Sequence, residues 1–198
     1  MPNRESGMRH LLTVAVLLAA ALAPARELVR NGDFELPPDS SWQTYVWGEV
    51  PDTGNCRLRY RHEFHPDRDF DVMVHKMLHQ GMKLSQKVVI PNLDLGFGVS
   101  CRLWAKTERE SLFAAACIGV EYLDRSDSAL GETRIFAATS GCDWSSSPVL
   151  HLIRVSDSLN WYDYQFNVAA ELDNLPGVER DSIQAVRVSL LGYVKQNC

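Results

Sequence analysis

Phe97–Lys106 reads FGVSCRLWAK. Phe97, Val99, Cys101, Leu103 and Ala105 share one parity, while Arg102, Trp104 and Lys106 share the other. Successive side chains of an extended chain point to opposite faces, so this pattern predicts a strand with one face in a core. The same period of two runs outward along the chain. MKLSQKVVI sets Met82, Leu84, Val88 and Ile90 on one side, and WYDYQFNV sets Tyr162, Tyr164, Phe166 and Val168 on one side. CRLRYRHEF alternates Cys56, Leu58, Tyr60, His62 and Phe64 against Arg57, Arg59, Arg61 and Glu63.

Further strands are expected at Leu28–Phe34, Val72–Met77, Leu112–Leu123, Thr133–Ala137, Leu150–Val155 and Ile183–Tyr193. The stretches PPDSS, HPDRD, PNLD, DRSDS and TSGCDWSSSP between them are rich in turn formers. No helical stripe exceeds two turns, although AAELDNLPGVERD has room for one short helical turn before Pro176. Many short strands at this spacing predict an all-β sandwich. There is no internal repeat and no low-complexity linker.

The first residues set the compartment. Arg4, Arg9 and His10 precede the apolar run LLTVAVLLAAAL, and Ala23, Pro24 and Ala25 follow it. A basic start, about a dozen apolar residues and a small-x-small ending predict a secretory signal peptide over 1–25. The run falls short of the roughly 20 residues that a membrane crossing needs. Met8 is an alternative start for the same signal. The remaining 26–198 fit one domain by the usual size of about 100–200 residues. No second long apolar run follows, so no membrane span is expected after signal removal. The net charge of −5 and scattered cations argue against a nucleic-acid surface. Five cysteines in an oxidising space leave at least one thiol unpaired. Cys101 and Cys117 lie in apolar runs and suit either a disulfide or burial as small hydrophobes.

LVRNGDFE, Leu28–Glu35, resembles the first strand of galactose-binding-like jelly rolls, above all carbohydrate-binding modules of the family 4/9 type. LSQKVVIPNLD, VSCRLWAKTE, IGVEYLDRSDSALGET and LNWYDYQFNV resemble later strands of that pattern, in order. The resemblance spans nearly the whole mature chain and implies a jelly-roll sandwich that binds glycan. It also implies a structural calcium ion held in part by Glu35, since calcium takes roughly six to eight oxygen ligands. The resembled modules usually end in a strand with Asp-Asn or Asp-Asp as a second ligand, whereas this sequence ends GYVKQNC. Asn31 and Gly32 tolerate positive φ and allow a sharp bend before Phe34, which is placed to plug one end of the core.

A sugar ring stacks on an aromatic face through its axial C–H groups. The aromatics off the core parity are therefore the candidates. Trp104 lies between Arg102 and Lys106 and makes either a platform or a contact buried by a second layer. In SWQTYVW, Tyr45 and Trp47 share a face with Trp42 opposite, and they either wall a cleft or cover an open end of the sandwich. Tyr122 and Asp124 end a strand beside an acidic turn. Trp161 is expected in the core, and Trp144 as a lid or a loop anchor. The expected ligand contacts are Trp47, Arg102, Trp104 and Tyr122, with Glu35 as metal ligand.

Catalysis is not expected. His62, Glu63 and His65 lack the spacing of a helical H-E-x-x-H, and His75 and His79 sit in strand and turn surroundings. No G-x-S-x-G, phosphate loop or dinucleotide fingerprint occurs. Glu121 with Asp124 would serve glycoside hydrolysis only at a suitable separation. The expectation is thus a secreted, non-catalytic module for polysaccharide or surface glycan. The alternative is a structural or adhesive cell-surface domain that uses the same fold for protein contacts.

Overall fold

The computed structural model describes residues 27–47, 56–61, 71–76, 81–107, 112–155 and 160–196. The expected signal peptide, His62, Glu63, His65 and His79 lie outside the described residues. Among the described residues ten strands carry the fold: β1 (Gln43–Trp47), β2 (Cys56–Arg61), β3 (Asp71–Lys76), β4 (Gly81–Val89), β5 (Gly96–Cys101), β6 (Leu112–Leu123), β7 (Ala129–Ala138), β8 (Leu150–Arg154), β9 (Tyr162–Asn167) and β10 (Ala185–Gln196). Six of them form one sheet in the order β1-β4-β10-β6-β7-β8. β5 pairs with β9, and β2 with β3. The chain is an all-β sandwich. β5 and β9 pair with each other outside the large sheet, and β10 lies between β4 and β6.

The period-two pattern decides which residues go inside. Phe97 pairs with Phe166, Val99 with Tyr164 and Cys101 with Tyr162, so the β5–β9 layer turns these side chains inward. They meet Ile118 and Ile135 from the large sheet. Val88, Val120 and Val186 of the large sheet pack on Val168, Leu172 and Leu175. Val168–Glu171 forms a short helix, α1, and Leu172–Asn174 continues it as a 3-10 turn, as the sequence suggested before Pro176. Asn167 caps α1 by accepting a 3.1 Å bond from the Ala170 amide. Trp42, Leu84 and Val188 make a third cluster, joined by Phe34, Val72 and Val74. Cys101 and Cys117 are buried free thiols, which settles their reading as small hydrophobes. Burial raises both, that of Cys101 to about 11.

The opening stretch departs from its expected form. Leu28–Phe34 is a strap of turns and bends rather than a strand. Side-chain amides rather than a ladder bond its backbone at Arg30 and, just beyond it, at Leu36. The buried Gln86 amide accepts from Arg30 N at 2.7 Å and donates to Arg30 O at 2.8 Å. The Asn31 side chain does the same for Leu36, at 2.8 and 2.7 Å. Asn31 takes the positive φ expected of it, at 51°. Phe34 also has positive φ, 57°, which is uncommon for an aromatic residue. Its ring sits 5.3 Å from that of Trp42, whose Nε1–H bonds the Asn31 carbonyl. A backbone group left unpaired by a buried partner costs about 1–3 kcal/mol.

Replacing Gln86 by Ala should therefore lower the unfolding free energy by roughly 1–3 kcal/mol and expose the strap to proteolysis near Arg30. Urea unfolding and limited digestion test this. A variant that matches the parent in both would show that apolar contacts alone hold the strap.

Candidate functional site

One face of the large sheet looks inward, and the other carries the residues of opposite parity. The register aligns these in rows across the strands. Trp47, Gly81 and Tyr193 form one row. Tyr45, Lys83, Leu191, Cys117 and Phe136 form the next. Ser85, Ser189, Gly119 and Arg134 follow. Lys87, Arg187, Glu121 and Glu132 form the row beyond.

The first rows make an aromatic shelf. Trp47 stacks on Tyr45, with centroids 5.6 Å apart, and on Tyr193, 6.4 Å apart. Tyr193 in turn meets Phe113 at 5.6 Å. Gly81 makes the shelf possible, because a Cβ there would overlap the Trp47 indole. An aromatic ring lying over a strand glycine covers backbone that would otherwise be bare. Tyr45 is 63% exposed. As the sequence predicted, Trp42 points the other way and is buried.

The last rows carry a layer of ion pairs. Glu121 is held from two sides, by Lys83 and, at 2.5 Å, by Arg187 Nη1. Glu132 binds Arg134 with two oxygens, accepting from Nε at 2.8 Å and from Nη2 at 2.6 Å. Lys83 starts two rows from Glu121, so its chain must pass over the third row. That row is small there: Ser85, Ser189 and Gly119. A Cβ on Gly119 would come within 2.8 Å of both Glu132 Oε1 and Ser189 Oγ. Burial pushes the Glu121 carboxyl up, but the bonds and charges of Lys83 and Arg187 outweigh it and hold it below the usual carboxylate range. Burial works against the Arg134 charge, and Glu132 more than restores it.

β8 runs parallel to β7, so the loop between them must travel back along the sheet. That loop sets Trp144 against this face. Its ring lies 5.5 Å from Phe136, and the Arg134 guanidinium sits 4.7 Å from its centroid. Trp144 is a loop anchor, one of the two roles its sequence position allowed.

The expected site residues do not converge. Trp47 belongs to the outer face of the large sheet. Arg102 and Trp104 follow β5 in the opposite layer, and Trp104 is 58% exposed rather than covered. Tyr122, expected at a ligand surface, is 0% exposed. Its parity directs it into the core, its hydroxyl bonds Thr133 Oγ1 at 3.2 Å, and burial pushes its pKa up to about 12. Glu35 is exposed beyond the Asn31 turn. Among the described residues no three His, Cys, Asp or Glu side chains gather as metal ligands. Glu121 and Asp124 do not form an acid pair: Glu121 is committed to its cations, and Asp124 Oδ1 accepts from Ser126 N and Oγ and from Ser128 N in the β6–β7 turn. Sequence reasoning missed Lys83, Arg187, Glu132, Arg134 and Tyr193. Their signal was present as the parity opposite the core in β4, β7 and β10.

A second polar cluster closes the inner edge of the sheet. The buried Glu171 accepts from Thr133 Oγ1 at 2.8 Å and Asn174 Nδ2 at 3.1 Å, and its Oε1 lies 2.5 Å from His151 Nδ1. Because the Thr133 hydroxyl donates its hydrogen bond to Glu171, Tyr122 donates to Thr133. This chain ties α1 to β7 and β8, and it satisfies a charge that would otherwise be costly inside the fold.

Gly81→Ala should unseat Trp47 while preserving the ladder. The expected result is a changed near-ultraviolet circular dichroism spectrum and a red-shifted tryptophan emission with an unchanged far-ultraviolet spectrum. An unaltered tryptophan signal would contradict the shelf.

No family model matches the sequence, and no curated protein matches it. Among solved structures, the enzymatically active domain of tailspike protein 4 from bacteriophage CBA120 is similar over 84% of this chain, with 13% identity and a TM-score of 0.47. The match spans 19% of that protein's chain.

Proposed function

We propose that this chain is a secreted, non-catalytic glycan-binding module, and that its binding surface is the outer face of the six-stranded sheet. The observation that carries this reading is the run of rings Tyr45–Trp47–Tyr193 beside the half-buried ion-pair layer. Flat aromatic faces suit the C–H faces of pyranose rings, and fixed charged donors and acceptors suit their hydroxyls. The strands hold both sets rigidly, so binding orders few side chains and loses little entropy. The reaction is association alone, with no covalent step. The secreted part of this reading rests on the signal-peptide pattern in the sequence of residues 1–25. An adhesive role through protein contacts is the second reading. It draws on β1, which among the described residues pairs only with β4 and carries exposed Tyr45 and Val46 without a charged residue.

A glycan array of the purified chain, followed by calorimetry on its best ligand, tests the proposal. Trp47→Ala and Tyr45→Ala should each weaken binding about tenfold, as expected for losing a stacking ring worth roughly 1.5 kcal/mol. Trp104→Ala should leave affinity unchanged. Loss of binding in Trp104→Ala alone would move the site to the other layer, and a blank array from folded protein would favour the adhesive reading.

A further inference from the structure

The charges on the outer face do not balance. Glu121 is a single carboxylate shared by Lys83 and Arg187, and Glu132 is fully used by Arg134. Lys87 of the same rows pairs with Asp127, so four cations face three carboxylates, in a chain whose overall net charge is −5. Arg187 spends only Nη1 on Glu121, and Lys83 only one contact, so both keep donors without partners among the described residues. The two side chains are 28% and 21% exposed, which leaves them reachable yet partly shielded from water. Charges in such a setting act more strongly than at a fully wet surface. Tyr45 stands directly across from Lys83 in the ladder. Lys83 Nζ and Arg187 Nη1 meet at Glu121 two rows further along, so an oligosaccharide with one ring on the shelf runs its further units toward ammonium and guanidinium donors.

We infer that this face selects oligosaccharides bearing a carboxylate, the chemistry of uronic and sialic acids, with one ring on Tyr45 and Trp47 and the carboxylate of a further unit on Arg187 and Lys83. This rests on the glycan-binding reading above. The planar guanidinium fork fits a carboxylate, and an anionic ligand supplies the charge that Glu121 alone leaves unmatched. Neutral sugars gain the stacking but not the charge pairing.

Calorimetry on matched pairs tests the selectivity: polygalacturonate against its carboxyl-reduced form, and sialyllactose against lactose. The acid member of at least one pair should bind ten times more tightly or better, and which pair responds tells uronate from sialate. Added salt should weaken that binding. Arg187→Met should remove the preference, Arg187→Lys should keep part of it, and Lys83→Met gives a second route should Arg187→Met fail to fold. Equal binding of acid and neutral members, or binding confined to neutral glycans, overturns the selectivity and leaves the glycan reading standing. A preference that survives in both Met variants overturns its assignment to this face. No binding to any glycan overturns both.

Discussion

The last strand holds the molecule together. β10 enters between β4 and β6 and pairs with nine residues of the first and twelve of the second. Without it the large sheet is two unconnected pieces. Val186 and Val188 also supply the core, while Arg187, Ser189 and Tyr193 supply the outer face. Its partners on β4 lie roughly a hundred residues earlier in the chain, as with Val188 and Gln86. Folding must close that long loop before the contacts reward it, so assembly should be slow and cooperative. The strap is fixed last in this logic, because Gln86 can clamp Arg30 only once β4 is in place.

Inserting one strand sets two faces at once. A shift of one residue in the β10 register would turn Arg187 inward and Val188 outward. The buried valines therefore fix the position of the ion pairs as firmly as the ion pairs fix themselves. This explains how the layer around Glu121 is ordered although isolated surface pairs contribute little. Neighbouring strands preset the positions, and the small residues Gly119 and Ser189 leave room for long side chains to cross. The aromatic shelf depends on the same register, since Trp47, Gly81 and Tyr193 align only when β1, β4 and β10 are all in step.

Much of the fold was legible because period two is a direct image of a half-buried strand. Leu112–Leu123 coincides with β6, and the inward parity of β4, β5 and β9 matches the buried or half-buried positions. Leu28–Phe34 misled because its composition suits a strand, whereas its hydrogen bonds come from Gln86 and Asn31, far and near in sequence. Tyr122 misled for a simpler reason. Its nearness to an acidic turn outweighed a parity, shared with Ile118 and Val120, that points inward. The site itself was only half visible: Tyr45 and Trp47 are two residues apart in sequence, but their partners Lys83, Glu121 and Arg187 arrive from three strands. A charge's cross-strand neighbours follow from register, which no local window contains.

The most direct test is a nuclear magnetic resonance titration of isotope-labelled protein with a panel of neutral and acidic oligosaccharides. The account predicts saturable shifts at the Trp47 indole N–H and at amides of β1, β4 and β10, with Trp104 unmoved. Shifts confined to Arg102–Lys106 and the β5–β9 layer, or none with any sugar, would contradict it.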